Sequence, residues 1–319
     1  MKNFYLLLVV LIAFFSCEKD AKINSEITKI DVDFSIERFE TAFSNANPND
    51  LTKLKTAFPF LFPKRVPDSV WVETMIDTLQ QELRNEVTAA YKDFKTIQKD
   101  LELLFQHLKY YDQFFNEPRV ITLTNNVRYR EKVVVTDSIV LVALDNYLGK
   151  DHRFYSNIPQ YISKNFSSEY IVVDLAEKYA KNYIYPSSKK TFLDEMIYYG
   201  KLLYFKDIII PFKTDAQKIG YTPQELSWAQ DNESHVWSYF VERELLFSTD
   251  SKLPSQFISV APFSKFYLEI DNSSPGRIGQ FIGWQIVRKY MKDNKVSLLD
   301  MMQKSTDEIF NNTKYKPKQ

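Results

Sequence analysis

The segment RVITLTNNVRYREKVVVTDSIVLVAL, residues 119–144, contains three short runs rich in β-branched residues. The runs cover 119–123, 132–135 and 138–144, and each has the length of a strand. Helical sequence patterns lie both before and after this segment. The order of helices, one small sheet and further helices predicts an α+β fold that is predominantly helical.

The flanking regions carry apolar residues at intervals of three and four, the spacing of an amphipathic helix. In 97–115, for example, Leu101, Leu104 and Leu108 share one helix face. The predicted helices cover 33–44, 49–58, 70–94, 97–115, 168–184, 190–209, 223–229, 232–246, 276–292 and 298–311. No repeat or clear linker interrupts them, so we expect a single domain over 27–319, within which 27–115 could form a helical subdomain.

Residues 1–16 have the pattern of an export signal. Lys2 precedes an unbroken apolar run over 4–15, which is too short to span about 30 Å of hydrocarbon stably. Ser16 then stands directly before Cys17, the only cysteine in the chain. This arrangement resembles the lipobox of bacterial lipoproteins and predicts cleavage before Cys17 and a lipid on its thiol. The alternatives are a buried free cysteine or an uncleaved anchor.

The polar residues that follow the cysteine predict a tether over 17–26. We expect the lipid on Cys17 to hold the protein on a membrane of the cell envelope, with the domain facing the periplasm. The mature chain has no second cysteine, which suits an oxidising compartment.

Composition and motifs exclude several functional classes. Lysine and arginine number 41, as do aspartate and glutamate, so the net charge is zero and offers no basic surface to a nucleic acid. The chain has six glycines and no Gly-x-Gly-x-x-Gly, Walker or Gly-x-Ser-x-Gly motif. We therefore expect no nucleic-acid partner, no nucleotide and no cofactor.

Four segments are distinctive in combination. They are LDNYLGKDHRFY (144–155), MIYYGKLLYFKDIIIP (196–211), VWSYFVERELLFSTD (236–250) and SPGRIGQFIGWQIVRKYM (274–291). In this order and spacing, and together with Arg38-Phe39-Glu40 and FPFLFP (58–63), they resemble the gliding-motility lipoprotein GldB family of Bacteroidetes. The resemblance implies a membrane-anchored lipoprotein required for gliding motility, with partners in a machinery that is tied to type IX protein secretion.

The family is in turn similar to zincin-type metallopeptidases, which hold zinc with His-Glu-x-x-His on one helix and a glutamate before glycine on the next. At the matching positions this chain has Ala176, Glu177 and Ala180, and Tyr199 stands before Gly200, where related sequences would be expected to carry glutamate. Alanine methyl groups offer no lone pair to a metal. The resemblance therefore implies a zincin-like fold with a degenerate catalytic motif, no metal site and no catalytic residue.

The distribution of histidines also argues against a zinc site. There are three, His107, His152 and His235, and they are far apart along the chain. A zinc hydrolase needs about three protein ligands to bind the ion and lower the pKa of its water. We therefore expect a pseudo-peptidase rather than an enzyme.

A partner or anion is the remaining candidate ligand for the former cleft. Tyr198, Tyr199 and Tyr204 place aromatic rings on the helix that would form its floor, and Gly276 and Arg277 begin another helix. Ordinary core packing is the simpler interpretation of these residues. If the cleft stays open, however, the rings and Arg277 could bind a peptide segment of a partner.

These observations favour a non-catalytic assembly or stability component of the gliding and secretion machinery. Two alternatives remain open at this point. One is a zinc-dependent, peptidase-like hydrolase, and the other is a surface lipoprotein that binds nutrients.

Overall fold

The computed structural model describes residues 26–185 and 189–317. The predicted export signal, Cys17 and all but the last residue of the tether lie outside this part of the chain. Its α-helices are α1 (Phe39–Asn45), α2 (Leu51–Ala57), α3 (Asp68–Ile76), α4 (Thr78–Ala90), α5 (Lys95–Tyr111), α6 (Gln160–Ser163), α7 (Ile171–Lys181), α8 (Phe192–Ile209), α9 (Asp215–Ile219), α10 (Pro223–Asp231), α11 (Glu233–Glu242), α12 (Ile278–Asp293), α13 (Leu298–Gln303) and α14 (Thr306–Asn311). None of the helices in 26–185 and 189–317 has the length and apolar character of a membrane span.

Four strands form one mixed sheet in the described residues. They are β1 (Ile36–Arg38), β2 (Arg119–Leu123), β3 (Val133–Val135) and β4 (Ile139–Ala143). The order across the sheet is β1-β2-β4-β3; β1, β2 and β4 are parallel, and β3 is an antiparallel edge strand. The predicted α+β, predominantly helical fold is confirmed, as are the three strands expected within 119–144.

Three parts of the helix prediction are wrong, and one of them is the predicted helix 298–311, which is two helices, α13 and α14. The predicted helix 33–44 starts with strand β1, because Ile36 and Arg38 pair with Val120 and Thr122 on the outer edge of β2. The predicted helix 70–94 is two helices, α3 and α4. Asp77 is extended between them, and its side chain accepts a hydrogen bond from the backbone N–H of Gln80 at 2.8 Å, which caps α4.

The sheet separates two apolar cores. Val120, Val140 and Val142 point into the larger core, which α5, α7, α8 and α12 complete. Ile121 points into the smaller core on the opposite face, where it meets Phe43, Leu51, Leu54, Phe58, Phe62 and Met75. The larger core draws on residues from both sides of position 115. The extents proposed for the domain, 27–319, and for the helical subdomain, 27–115, stay predictions.

Helices α8 and α12 approach each other so closely that no side chain fits at their crossing. A Cβ on Gly283 would lie 1.8 Å from the carbonyl oxygen of Met196, and one on Gly200 would lie 2.3 Å from that of Gly283. Only glycine allows such an approach. The crossing fixes the position of Tyr199 on α8 relative to the start of α12.

Helix α7 packs against β3 on one side and α8 on the other. Its buried face consists of Ile171, Val172, Val173, Leu175, Ala176, Tyr179 and Ala180. Asp174, Glu177 and Lys181 follow one another at intervals of three and four and share the opposite face. This polar face forms one wall of a cleft.

Candidate functional site

A cleft with a volume of about 550 Å³ lies in the described residues. It lies between Lys132 at the start of β3, the polar face of α7, Tyr199 of α8 and Arg277 before α12. Volumes of this size are typical of ligand pockets. A second cavity of about 290 Å³ lies on the other side of Tyr198 and is lined by Lys201 and the loop between α13 and α14.

Glu177 is held by two ammonium groups. Its Oε2 lies 3.0 Å from Nζ of Lys206, and its Oε1 lies 2.9 Å from Nζ of Lys181, one turn along α7. Burial acts to raise the pKa of the Glu177 carboxyl, but attraction to Lys206 and Lys181 outweighs it, so this pKa lies well below its usual value. Glu177 is therefore a counter-ion and a weak base at neutral pH.

Asp174 is held in the same way one turn earlier. Its Oδ2 lies 2.6 Å from Nζ of Lys132 and accepts a hydrogen bond from the hydroxyl of Tyr147 at 2.7 Å. Lys132 in turn lies over the rings of Tyr147 and Phe166, each 5.3 Å from the ring centroid. Both carboxylates on the cleft wall are thus already paired with cations.

Arg277 is a partly buried cation of the cleft that keeps unused hydrogen-bond donors. Its backbone is left-handed, with φ of 62°, and its Nη2 donates to the carbonyl oxygen of Gly220 at 2.9 Å. Its guanidinium lies 5.6 Å from the ring centroid of Tyr221 and forms no ion pair with any described residue. A guanidinium has five N–H donors, so most of those on Arg277 remain available to a ligand.

Gly276 positions Arg277 rather than binding a ligand itself. It is buried, and a Cβ there would lie 2.3 Å from the carbonyl oxygen of Ala261. Its carbonyl oxygen accepts a hydrogen bond from the hydroxyl of Tyr221 at 2.6 Å. The glycine therefore lets the chain pass close to a neighbouring loop just before Arg277.

The charged residues that line the cleft are mostly basic. Six are cationic and two are carboxylates; they are Arg130, Lys132, Lys181, Lys206, Lys218 and Arg277, and Asp174 and Glu177. Lys218 forms an ion pair at 3.0 Å with Asp207, which does not line the cleft. Aromatic side chains, including Tyr161, Tyr170 and Tyr199, line the same cleft.

The structure places the residues of the predicted degenerate motif on two different faces of α7. Ala176 and Ala180 are fully buried on the core face of α7, and neither lines the cleft. Glu177 does line it, but its neighbour on that face is Asp174, which the sequence analysis missed. The two alanine methyl groups therefore point into the core, and the correspondence of these positions to the histidines of a metal-binding motif stays a prediction.

The predicted aromatic cluster on α8 is divided between different surroundings. Tyr199 lines the cleft, whereas Tyr198 lines the smaller cavity, and their rings meet edge to face with centroids 5.2 Å apart. Tyr204 lines neither space and packs against the larger core. Of the predicted partner-binding residues, only Tyr199 and Arg277 therefore reach the cleft.

Several cleft residues come from parts of the chain that gave no sequence signal. Lys132 and Lys206 contact the carboxylates of α7 only through tertiary packing, so their roles cannot be found from local spacing. Asp174 could have been found, because it lies three residues before Glu177 on the polar face of an amphipathic helix.

The donor set of the cleft does not suit zinc. Asp174 and Glu177 are both neutralised by lysine ammonium groups, and Tyr199 offers a phenol whose pKa is raised by burial. In residues 26–185 and 189–317, no three His, Cys, Asp or Glu side chains are grouped so that they could hold a metal ion. We therefore assign no metal-dependent step to this site.

Comparison with known proteins gives one match. No curated protein and no solved structure matches the chain. A family model described as gliding motility protein GldB matches residues 20–317, nearly the entire sequence. The chain therefore belongs to the GldB family of gliding motility proteins.

Proposed function

We propose that this protein is a lipid-anchored, non-catalytic component of the gliding-motility machinery and that its cleft receives a peptide segment of a partner protein. Family membership supports the role in motility. The lack of catalysis is argued from the chemistry of the cleft, and the lipid anchor is argued from the residues around Cys17.

The state of Glu177 is the observation that carries the proposal. A general base works best when its pKa lies near the operating pH. Lys206 and Lys181 hold the pKa of Glu177 far below neutrality, and Asp174 is bound by Lys132 and Tyr147. Neither carboxylate is free to take a proton from water, so the cleft is better suited to binding than to hydrolysis.

The anchor follows from the sequence. A lipid on Cys17, the export signal over 1–16 and a tether over 17–26 would hold a domain of residues 27–319 on the periplasmic side of a membrane. In that location the cleft can meet envelope components of the gliding apparatus and of type IX secretion. The contribution we propose is assembly or stabilisation of that apparatus.

Photo-crosslinking in cells tests the proposal. A benzoylphenylalanine placed at Tyr161, which lines the cleft, should give a discrete adduct with an envelope protein in gliding cells. The matched control is the same residue at Phe247, which is 66% exposed and does not line the cleft. The absence of an adduct from Tyr161, or the same adduct from both sites, would contradict a role for the cleft in partner binding.

A further inference from the structure

The charge of the cleft indicates what kind of partner segment it binds. Four of its six cations have carboxylate partners: Lys132 with Asp174, Lys181 and Lys206 with Glu177, and Lys218 with Asp207. Arg130 and Arg277 form no ion pair within the described residues. The cleft thus keeps positive charge for a ligand after its internal pairs are counted.

Arg277 is the better placed of the two arginines. Arg130 is exposed, whereas Arg277 is partly buried between Gly220 and the ring of Tyr221. Its bond to the Gly220 carbonyl fixes one edge of the guanidinium and leaves its other donors unused. A planar fork held in this way suits a carboxylate, which it can bind through two parallel hydrogen bonds.

The rest of the lining suits a peptide. Tyr161, Tyr170 and Tyr199 supply rings with one polar end, and Ile162, Val173 and Val260 supply apolar surface. Aromatic and arginine side chains in a desolvated pocket typically dominate the binding energy of peptide and protein partners. A small inorganic anion would leave this surface without a contact.

We infer that the cleft binds an extended peptide through its carboxylate, carried either at the peptide C-terminus or on an acidic side chain, with Arg277 as the residue that binds the carboxylate. This inference rests on the proposed function, since it assigns a chemistry to the partner segment. It adds that a neutral segment of the same length and hydrophobicity binds poorly.

Matched peptide libraries test the inference on the full chain purified in detergent. Three libraries of random heptapeptides are used: one without Asp or Glu and with free C-termini, the same library amidated, and an amidated library that contains Asp and Glu. Retention of the first library indicates C-terminal recognition, and retention of the third indicates recognition of an acidic side chain. Equal retention of the neutral amidated library would overturn the inference.

Affinity measurements on a selected peptide then test Arg277. Arg277→Gln keeps an N–H donor for the Gly220 carbonyl but removes the charge, and it should weaken binding at least about tenfold. Arg277→Lys should recover part of the affinity. Arg243→Gln is the matched control, since Arg243 is exposed, outside the cleft and without an ion pair in the described residues. Unchanged affinity in Arg277→Gln, or displacement of the peptide by inorganic phosphate at matched ionic strength, would contradict carboxylate recognition.

The crosslink at Tyr161 separates the two proposals. If it persists in cells that carry Arg277→Gln, the partner-binding function stands and the carboxylate inference fails. If it is absent even with Arg277 intact, the proposed function itself fails.

Discussion

Nζ of Lys206 lies 3.0 Å from Oε2 of Glu177, and the two side chains differ in exposure: that of Lys206 is 5% exposed and that of Glu177 is 37% exposed. The ammonium is therefore buried behind the carboxylate, which faces the cleft. Lys206 also donates to the carbonyl oxygen of Lys218 at 3.0 Å. Removal of the carboxylate would leave a buried cation with a backbone carbonyl as its remaining partner.

Glu177→Gln should therefore destabilise the protein. Breaking a fully buried ion pair costs about 3–5 kcal/mol, and we expect about 1–3 kcal/mol here because Glu177 is partly solvated. Denaturant unfolding measures the change, and Glu242→Gln on the exposed face of α11 is the control. The added substitution Lys206→Met should recover stability; a double variant as unstable as Glu177→Gln would contradict this role of the pair.

The contribution of Glu177 should also depend on pH. Its pKa is lowered in the folded protein from the usual 4.5, so its stabilising effect is present above pH 4.5 and is lost as the pH falls further. The difference in unfolding free energy between the wild type and Glu177→Gln should thus be constant near neutrality and shrink in acid. A difference that grew on acidification would show that the sign of the shift is wrong.

Asp145 should have the opposite pH dependence. This fully buried carboxyl accepts hydrogen bonds from the backbone N–H groups of Asn125 at 3.0 Å and Val127 at 2.7 Å, yet burial raises its pKa from 3.8 to about 6. Between pH 3.8 and 6 the folded state then binds a proton that the unfolded state does not. The contribution of Asp145 to the free energy of unfolding therefore falls as the pH rises through this window, by at most about 3 kcal/mol. Denaturant unfolding at pH 4 and 7 should show a pH dependence that is altered in Asp145→Asn. Parallel curves for the two proteins would refute the assignment.

Gly283→Ala should disrupt the crossing of α8 and α12. Its Cβ would lie 1.8 Å from the Met196 carbonyl oxygen, a backbone atom that cannot move independently. We expect a loss of about 3 kcal/mol or more, or failure to fold. Gly149→Ala is the control, because a Cβ there has nothing within 4 Å and only its left-handed backbone, with φ of +108°, costs about 1–2 kcal/mol. A smaller loss in Gly283→Ala than in Gly149→Ala, measured by thermal unfolding, would mean that the helices are not so close.

Cys17→Ala tests the lipid anchor. Since Cys17 is the only cysteine, the variant should incorporate no labelled palmitate and should leave the membrane fraction. Retention of the label would mean that the lipid is attached elsewhere, whereas membrane attachment equal to that of the wild type without label would favour an uncleaved anchor.

The sequence predicted the fold class well because the strands of 119–144 and the long helices have clear apolar periodicity. Strand β1 was missed because it is only three residues long and because Ile36, Phe39 and Phe43 have helical spacing. Ile36–Arg38 is extended only because it pairs with β2. The breaks at Asp77 and between α13 and α14 depend on single capping side chains within otherwise helical patterns.

The cleft was predicted less completely. Arg277, Tyr199 and Glu177 were identified as candidate residues and line the cleft, whereas Ala176 and Ala180 lie on the core face of α7. The buried residues Val172, Leu175 and Tyr179 already marked the core face of that helix. Lys132, directly before β3, and Lys206 of α8 contact Asp174 and Glu177 from other elements, and no local pattern could have predicted these two contacts.

Gliding of cells that carry Asp174→Asn and Glu177→Gln together tests the central claim most directly, namely that the cleft binds and does not catalyse. These changes remove both candidate bases from the cleft wall, and a hydrolase that used either would lose about 10²–10⁴-fold in rate. Single-cell gliding speed and the amount of folded protein in the membrane are measured in the same cells. We predict that the speed falls only as far as the amount of folded protein falls. Loss of gliding with folded protein at the wild-type level would contradict the account.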